Sequence, residues 1–263
     1  MVIAARARLS ALALLAGAAL AAGCGGTAGG GAADSQTAAK SSSTLAGARA
    51  ITVVARQRPS ARLEEWTLRT PALREPTRVR VLLPVGYGSD RRRRYPVLYL
   101  LHGADSDYRA WTRDGDAEAI TARTPMIVVM PDGGAMGWYT DWYQGERPVQ
   151  PRWETYHVGE LVPWIDATYR TIATRLRSLA LVELRTGDGR PGPLDRRGTR
   201  PGCDACALER FLHRSNVRLH ARLQARGIRH VWDDYGPGTH DWPYWQRELH
   251  RSLPLLLAAL QQH

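Results

Sequence analysis

The sequence predicts a three-layer α/β domain with a mainly parallel sheet, and three observations carry that prediction. Apolar runs of strand length alternate with segments of helical periodicity between residues 51 and 263. Two of the runs, "YPVLYLLHG" at 95–103 and "MIVVMPDGG" at 126–134, are apolar almost throughout and stop at glycine. Strands buried on both faces of a helix-covered sheet have that composition. No internal repeat breaks the pattern.

Taken in order, "ITVVARQ" at 51–57 and "EWTLRT" at 65–70 are β-branched or alternating and predict opening strands. "RVRVLLP" at 78–84 alternates cleanly and predicts a third. The runs at 95–103 and 126–134 follow, with "DGDAEAITAR" at 114–123 between them as a short helix with acidic residues in its first turn. Residues 154–173 place Val158, Leu161, Val162, Ile165 and Tyr169 at helical spacing, so a helix is expected despite Pro163. "LALVEL" at 179–184 predicts a strand ending at "RTGDG". "ALERFLHRSNVRLHARLQARG" predicts an amphipathic helix stopped by Gly227, "IRHVWDDYG" a last strand, and "DWPYWQRELHRSLPLLLAALQQ" a closing helix.

The domain is expected over 51–263. Residues 1–23 carry Arg6 and Arg8, an apolar run too short to span a bilayer, and small residues ending "AAGC", which is the grammar of a secretory signal. Cleavage before Cys24 would expose a cysteine in a context resembling a bacterial lipobox, with Ala21 where leucine is usual. Lipidation at Cys24 would then anchor the protein to the outer face of a membrane. Residues 24–50 are rich in Gly, Ala and Ser, cannot bury enough surface to offset their ordering entropy, and are expected to form a tether.

Net charge is +11, and Lys40 is the single lysine, so the basic character is arginine spread along the chain. The one dense run, "RRRR" at 91–94, has no nucleic-acid-reading motif beside it and is expected to be a solvated loop, with no nucleic-acid partner. Cys203 and Cys206 form "CDAC". In an exported protein this spacing is compatible with a local disulfide, two idle thiols or a redox centre. A zinc site would need two further ligands at suitable spacing, and neither a metal nor another cofactor is expected.

In "GPGTHDWPYW" a Gly-Pro-Gly turn and a Trp-Pro-Tyr-Trp cluster flank His240, a setting that restricts the ring and suits a catalytic base. The aromatics Trp138, Tyr139, Trp142, Tyr143, Trp242 and Tyr244 are candidates for lining a substrate cleft or for packing.

"YPVLYLLHGADSDYRAW", "VVMPDGG", "YTDWY", "RWET", "GDGRPGPLD" and "GTHDWPYWQREL", in that order over residues 75–260, together resemble the esterase family of α/β-hydrolases that includes the antigen 85 mycolyltransferases and esterase D. The resemblance implies acyl transfer or ester hydrolysis on a lipid, a small ester or a trehalose-like sugar. Its serine is activated by a histidine that an acidic residue orients, with backbone N–H groups holding the oxyanion. It assigns His240 as the base, Glu209 as the acid with Asp188 in reserve, and the Ala104 N–H as one oxyanion donor.

The family's nucleophile is missing from this pattern. The fold places it in G-x-S-x-G on a strained strand-to-helix turn, and no G-x-S-x-G occurs in the chain. Ser106 in "GADSD" lacks the closing glycine, and Ser178 precedes its strand rather than following one. "YRTIATR" runs almost directly into "LRSLALVEL", so a block holding the nucleophile strand and helix is expected to have been lost. Three outcomes stay open: impaired catalysis, with Cys206 as the least poor substitute nucleophile; a non-catalytic acyl- or sugar-binding module; or a degenerate gene product. On this reading "LALVEL" would move into the vacated place beside residues 96–102.

Overall fold

The computed structural model describes residues 2–5, 47–135, 139, 141, 151–172, 181–225 and 227–261. Among the described residues there are eight strands: β1 (Val2–Ala5), β2 (Thr52–Gln57), β3 (Leu63–Arg69), β4 (Thr77–Leu82), β5 (Val97–Tyr99), β6 (Ile127–Pro131), β7 (Leu181–Thr186) and β8 (Val231–Asp234). They form two sheets, one ordered β2-β3-β4-β6-β5 and the other β1-β7-β8.

The pairing is more antiparallel than the sequence pattern predicts. β2 with β3, β3 with β4, β4 with β6 and β1 with β7 run antiparallel, whereas β5 with β6 and β7 with β8 run parallel. Connection length explains the difference. The links 58–62 and 70–76 are too short for a crossover and force hairpins, and only the helix-bearing connections return a strand in parallel.

The first sheet is covered on both faces. Alternation along β6 sends Ile127 and Val129 into a core with Leu68, Val79, Val81, Tyr156, Leu161 and Ile165. Val128 and Met130 face the other way, into a core with Leu82, Leu98, Leu249, Leu253 and Leu256. The first core lies under a π-helical segment (Thr155–Leu161) that continues into α3 (Val162–Thr168), and the second lies under α5 (Trp242–Gln261). Pro163 accounts for the change of register between the π segment and α3. It has no N–H to donate to residue 159, and just before it the Val162 N–H reaches back five residues to the His157 carbonyl.

The helix expected at 114–123 is a single turn, α2 (Ala117–Ile120), and another short helix, α1 (Ala110–Arg113), precedes it. Asp116, at φ 49°, breaks them apart. The neighbouring glycine is sterically required, because a Cβ on Gly115 would lie 2.8 Å from the rings of both Trp111 and Trp242. α4 (Asp204–Ala225) spans its expected range but buries only Cys206 and Glu209, leaving Leu208 and Phe211 exposed. In the arginine run, Arg94 donates to the Thr171 carbonyl (3.2 Å), and Arg93 lies over the Tyr95 ring and accepts from Arg170 through its carbonyl. All four arginines are exposed, as a solvated loop requires, and half of the run also fastens that loop.

β7 does not move in beside β5. The two strands lie in different sheets and share no ladder, and β1 is the neighbour that β7 has opposite β8. The residues following α3 do start along the β5 edge: Tyr95 pairs in parallel with Thr171, through Tyr95 N–H to Arg170 O and Ile172 N–H to Tyr95 O, both 2.8 Å.

The second sheet is joined to α5 by ions. Arg185 on β7 is buried and contacts Glu183 (3.0 Å), Asp233 (2.7 Å) and Glu248 (3.5 Å). Arg251 and Arg247 bring their charges to the same carboxylates, and Ser252 donates to Glu183 (2.8 Å). Removing one member of a buried ionic network strands the others. Arg185→Met is therefore expected to destabilise the protein by about 3–5 kcal/mol in urea denaturation, and Arg251→Met, whose side chain is about half exposed, by about 1 kcal/mol or less.

Candidate active site

The carboxyl end of β7 and the loop after β8 are stitched together before any functional group is added. Tyr235 N–H bonds to Thr186 O, Asp188 N–H to Gly236 O (2.8 Å) and Gly189 N–H to Gly238 O (3.1 Å). The approach needs glycine, since a Cβ on Gly187 would sit 2.7 Å from the Gly238 carbonyl oxygen. His240 follows directly, at the mouth of this seam.

Glu209 reaches the same point from the second turn of α4. Its Oε1 accepts from the Gly187 N–H (3.0 Å) and the Thr186 hydroxyl (3.3 Å), and its Oε2 lies 2.9 Å from His240 Nδ1. Burial raises the cost of its charge, but the His240 ring and the Gly187 N–H outweigh this and hold the carboxyl below the ordinary glutamate range. An ionised Glu209 fixes the tautomer: Nδ1–H donates to the carboxylate and Nε2 carries the lone pair. The Trp245 ring meets the imidazole edge-on at 4.7 Å. The His240 side chain keeps 23% of its exposure, and Nε2 has no hydrogen-bond partner among the described residues. Such a group can take a proton from a nucleophile or from water.

The other expected site residues are placed as follows. Asp188 accepts from the Arg190 backbone N–H (2.8 Å) and guanidinium (2.7 Å), so the imidazole belongs to Glu209 and the reserve acid does not engage it. Ala104 is exposed in the turn after Gly103, and its N–H meets no acceptor among the described residues, as an oxyanion donor requires. Trp242 packs edge-on against Trp111 (5.2 Å) and Trp245 (4.8 Å) at the margin of the second core, which makes it a packing residue more than a cleft wall. Cys206 is fully buried and disulfide-bonded to Cys203, which removes it as a substitute nucleophile in this state. Trp138, Trp142, Tyr143 and Cys24 lie outside the described residues. Among the described residues no group of three or more His, Cys, Asp or Glu side chains is placed to hold a metal ion.

Two supports, Asp195 and His157, were not singled out from the sequence, and Tyr139 was named there only as a cleft or packing aromatic. Asp195 accepts from the Tyr244 hydroxyl (2.9 Å), the Gly192 N–H (2.7 Å) and the Thr239 hydroxyl, and so pins the residue before His240. Its place in "GPLD" was the available signal, but nothing local shows that it reaches 44 residues ahead. On the other side, the Tyr139 hydroxyl accepts from the His102 N–H (2.8 Å) and holds the start of the Ala104 turn. Below that turn, buried His157 sets Nε2 2.7 Å from the Asp132 carbonyl and Nδ1 2.7 Å from the Trp153 carbonyl.

Comparison with known proteins agrees with this architecture. Residues 70–180 match the family model described as putative esterase. An esterase of Mycobacterium tuberculosis is 43% identical over 124 residues, which is 46% of this chain and 26% of that protein. The diacylglycerol acyltransferase/mycolyltransferase Ag85A of the same organism is 38% identical over 78 residues, 27% of this chain and 23% of that protein. The chain thus spans about a quarter of the length of these relatives. Among solved structures, a ferulic acid esterase superposes with a TM-score of 0.55 at 20% identity, covering 75% of this chain and 97% of its own. The S-formylglutathione hydrolase FrmB of Staphylococcus aureus gives 0.54 at 14% identity, covering 79% and 99%. At these identities the structures establish the α/β-hydrolase fold.

Two measurements probe the supports. Asp195→Ala leaves the Tyr244 and Thr239 hydroxyls without their acceptor and is expected to cost about 1–3 kcal/mol in urea denaturation. Burial pushes the pKa of His157 down to about 4, against its two carbonyl neighbours. The unfolded ring titrates near 6.5, so between roughly pH 6.5 and 4 the unfolded chain binds a proton that the folded one refuses. Stability should therefore fall with pH across that window, by roughly 2–3 kcal/mol, and His157→Gln should remove that part of the slope.

Proposed function

We propose that this protein, whose residues 70–180 match the putative esterase family model, is an exported, lipid-anchored member of the esterase family of α/β-hydrolases that retains the catalytic base and its orienting acid but not the serine they serve. The observation that carries the reading is the 2.9 Å contact between His240 Nδ1 and buried Glu209, with Nε2 open. A packed or surface histidine has no need of a buried carboxylate that is itself held by two further donors.

The absence of the nucleophile is supported from three directions. G-x-S-x-G does not occur in the sequence. The family match ends at residue 180, and β7, which lies in the other sheet, begins at Leu181. Thr171 and Ile172 start along the β5 edge, where a strand next to β5 would begin, and the next described strand is β7. A chain that had lost a strand and helix after residue 172 would show this combination.

On this reading the protein binds an acyl ester, a lipid or an acylated trehalose-like sugar and does not turn it over through serine. Export would remove residues 1–23, β1 among them, and acylation of Cys24 would tether the domain to a membrane surface. A fluorophosphonate probe is expected to label no serine of the purified chain, and p-nitrophenyl butyrate should be hydrolysed at the buffer rate. A labelled serine, together with turnover that His240→Ala abolishes, would overturn the reading. Metabolic labelling with palmitate in the native host is expected to mark the wild type and to be lost in Cys24→Ala.

A further inference from the structure

The seam that carries His240 meets the first two turns of α4, and the start of that helix is crosslinked. Cys203 immediately precedes the helix: its carbonyl accepts from the Ala207 N–H (2.9 Å), and its sulfur, bonded to Cys206, accepts from the Cys206 N–H (3.1 Å). Between the two cysteines lies Ala205, whose carbonyl accepts the backbone N–H of His240 at 3.2 Å. Glu209, one turn past Cys206, takes the imidazole of the same residue. The "GDG" turn is pressed against this stretch too, since a Cβ on Gly189 would lie 2.4 Å from the Cys206 carbonyl oxygen and 2.8 Å from the Arg210 nitrogen. Both the main chain and the ring of His240 are therefore referenced to the first two turns of α4.

We propose that Cys203–Cys206 is a redox-exchangeable disulfide whose oxidised form holds His240 in register with Glu209 and whose reduced form releases it. The proposal rests on His240 and Glu209 being the site, and it assigns the exchange partner as a dithiol.

Access and chemistry distinguish the two sulfurs. Cys206 is fully buried, whereas Cys203 is half-buried, at the end of a basic loop holding Arg196, Arg197 and Arg200, and is the sulfur an incoming thiolate can reach. That thiolate attacks Cys203 Sγ, the Cys203–Cys206 bond breaks, and Cys206 leaves with the electron pair and takes up a proton. The second thiol of the reductant then attacks its own sulfur in the mixed disulfide and expels Cys203. In sum, the protein gains two electrons and Cys206 one proton, Cys203 leaves as a thiolate that solvent can protonate, and the dithiol becomes a disulfide. The released Cys203 thiolate keeps the Cys206 N–H and faces the positive end of a 22-residue helix with arginines nearby, conditions that favour a reactive, reversible thiol.

Magnitude connects this chemistry to the site. A disulfide holds its sulfurs about 2 Å apart, and unbonded sulfurs need about 3.5–4 Å, so reduction drives them apart by roughly 1.5 Å. With Cys206 fixed in the interior, the displacement falls on Cys203 and the turn carrying the Ala205 carbonyl. Site geometry of this kind tolerates shifts of about 1 Å.

The test uses the full chain labelled with ¹⁵N, before and after dithiothreitol, with alkylation and peptide mass to report Cys203 and Cys206 directly. Neither readout needs substrate or turnover, so a failure of the esterase-family reading in activity assays is a separate result. The expected result is alkylation of both cysteines under native conditions, a shift of the His240 backbone and ring signals, and amide exchange at His240 faster by about tenfold or more, all reversed by oxidised glutathione. Cys203→Ser retains a cap acceptor but not the crosslink, and should show the fast-exchanging His240 with or without reductant. Resistance of the disulfide to native reduction overturns the proposal. So does full reduction with unchanged His240 signals, or a Cys203→Ser protein whose His240 still responds to dithiothreitol.

Discussion

The carboxylate of Glu209 is the point on which the second half of the molecule depends. It gathers the end of β7 through Gly187 and Thr186, the body of α4 through its own backbone, and the loop before α5 through the His240 ring. A buried charge is tolerated there because every donor around it is aimed at one of its two oxygens. A neutral side chain of the same shape would leave the Gly187 N–H and the imidazole Nδ1–H competing for weaker acceptors. α4 buries only one other residue completely, Cys206, so the helix is positioned by this polar contact and its adjoining crosslink more than by apolar packing.

The first half is organised on a different principle. Its sheet is sandwiched between two apolar cores, and its turn at Ala104 is placed by the β5 exit and by Tyr139. That turn belongs to one half and the His240–Glu209 contact to the other, and β5 and β7 lie in separate sheets. The stretch that matches the putative esterase model, 70–180, ends just before β7 begins.

Much of this was legible in the residues. Alternation at 78–84 and continuous burial at 126–131 reported β4 and β6 directly, because side-chain period is a local property. His240 was singled out through the six short motifs and Glu209 through "ALERFLHRSN", and the fold brings the two into contact; Asp188 could not be set aside as the imidazole's partner until its salt bridge to Arg190 was seen. Strand direction was less legible for the opening strands: it follows from connection length, and the short links at 58–62 and 70–76 make β2, β3 and β4 antiparallel, whereas the apolar runs of β5 and β6 pair in parallel. Asp195 was invisible because its partners Thr239 and Tyr244 are brought to it only by the stitching of the β7 and β8 ends. "CDAC" was compatible with several states, and only the fold shows that its Ala205 carries the His240 main chain.

α5 lies against both sheets. Leu249, Leu253 and Leu256 complete the second core of the first sheet, Gln246 bonds to the Asp114 carbonyl (2.9 Å), and Ser252 and Glu248 close the ion cluster of β7 and β8. It also follows every strand in sequence. Neither half reaches its final packing without α5, because each leaves to it the apolar or ionic face that it cannot cover itself. Loosening this one helix would therefore expose both sheets together, and their cooperativity resides in it.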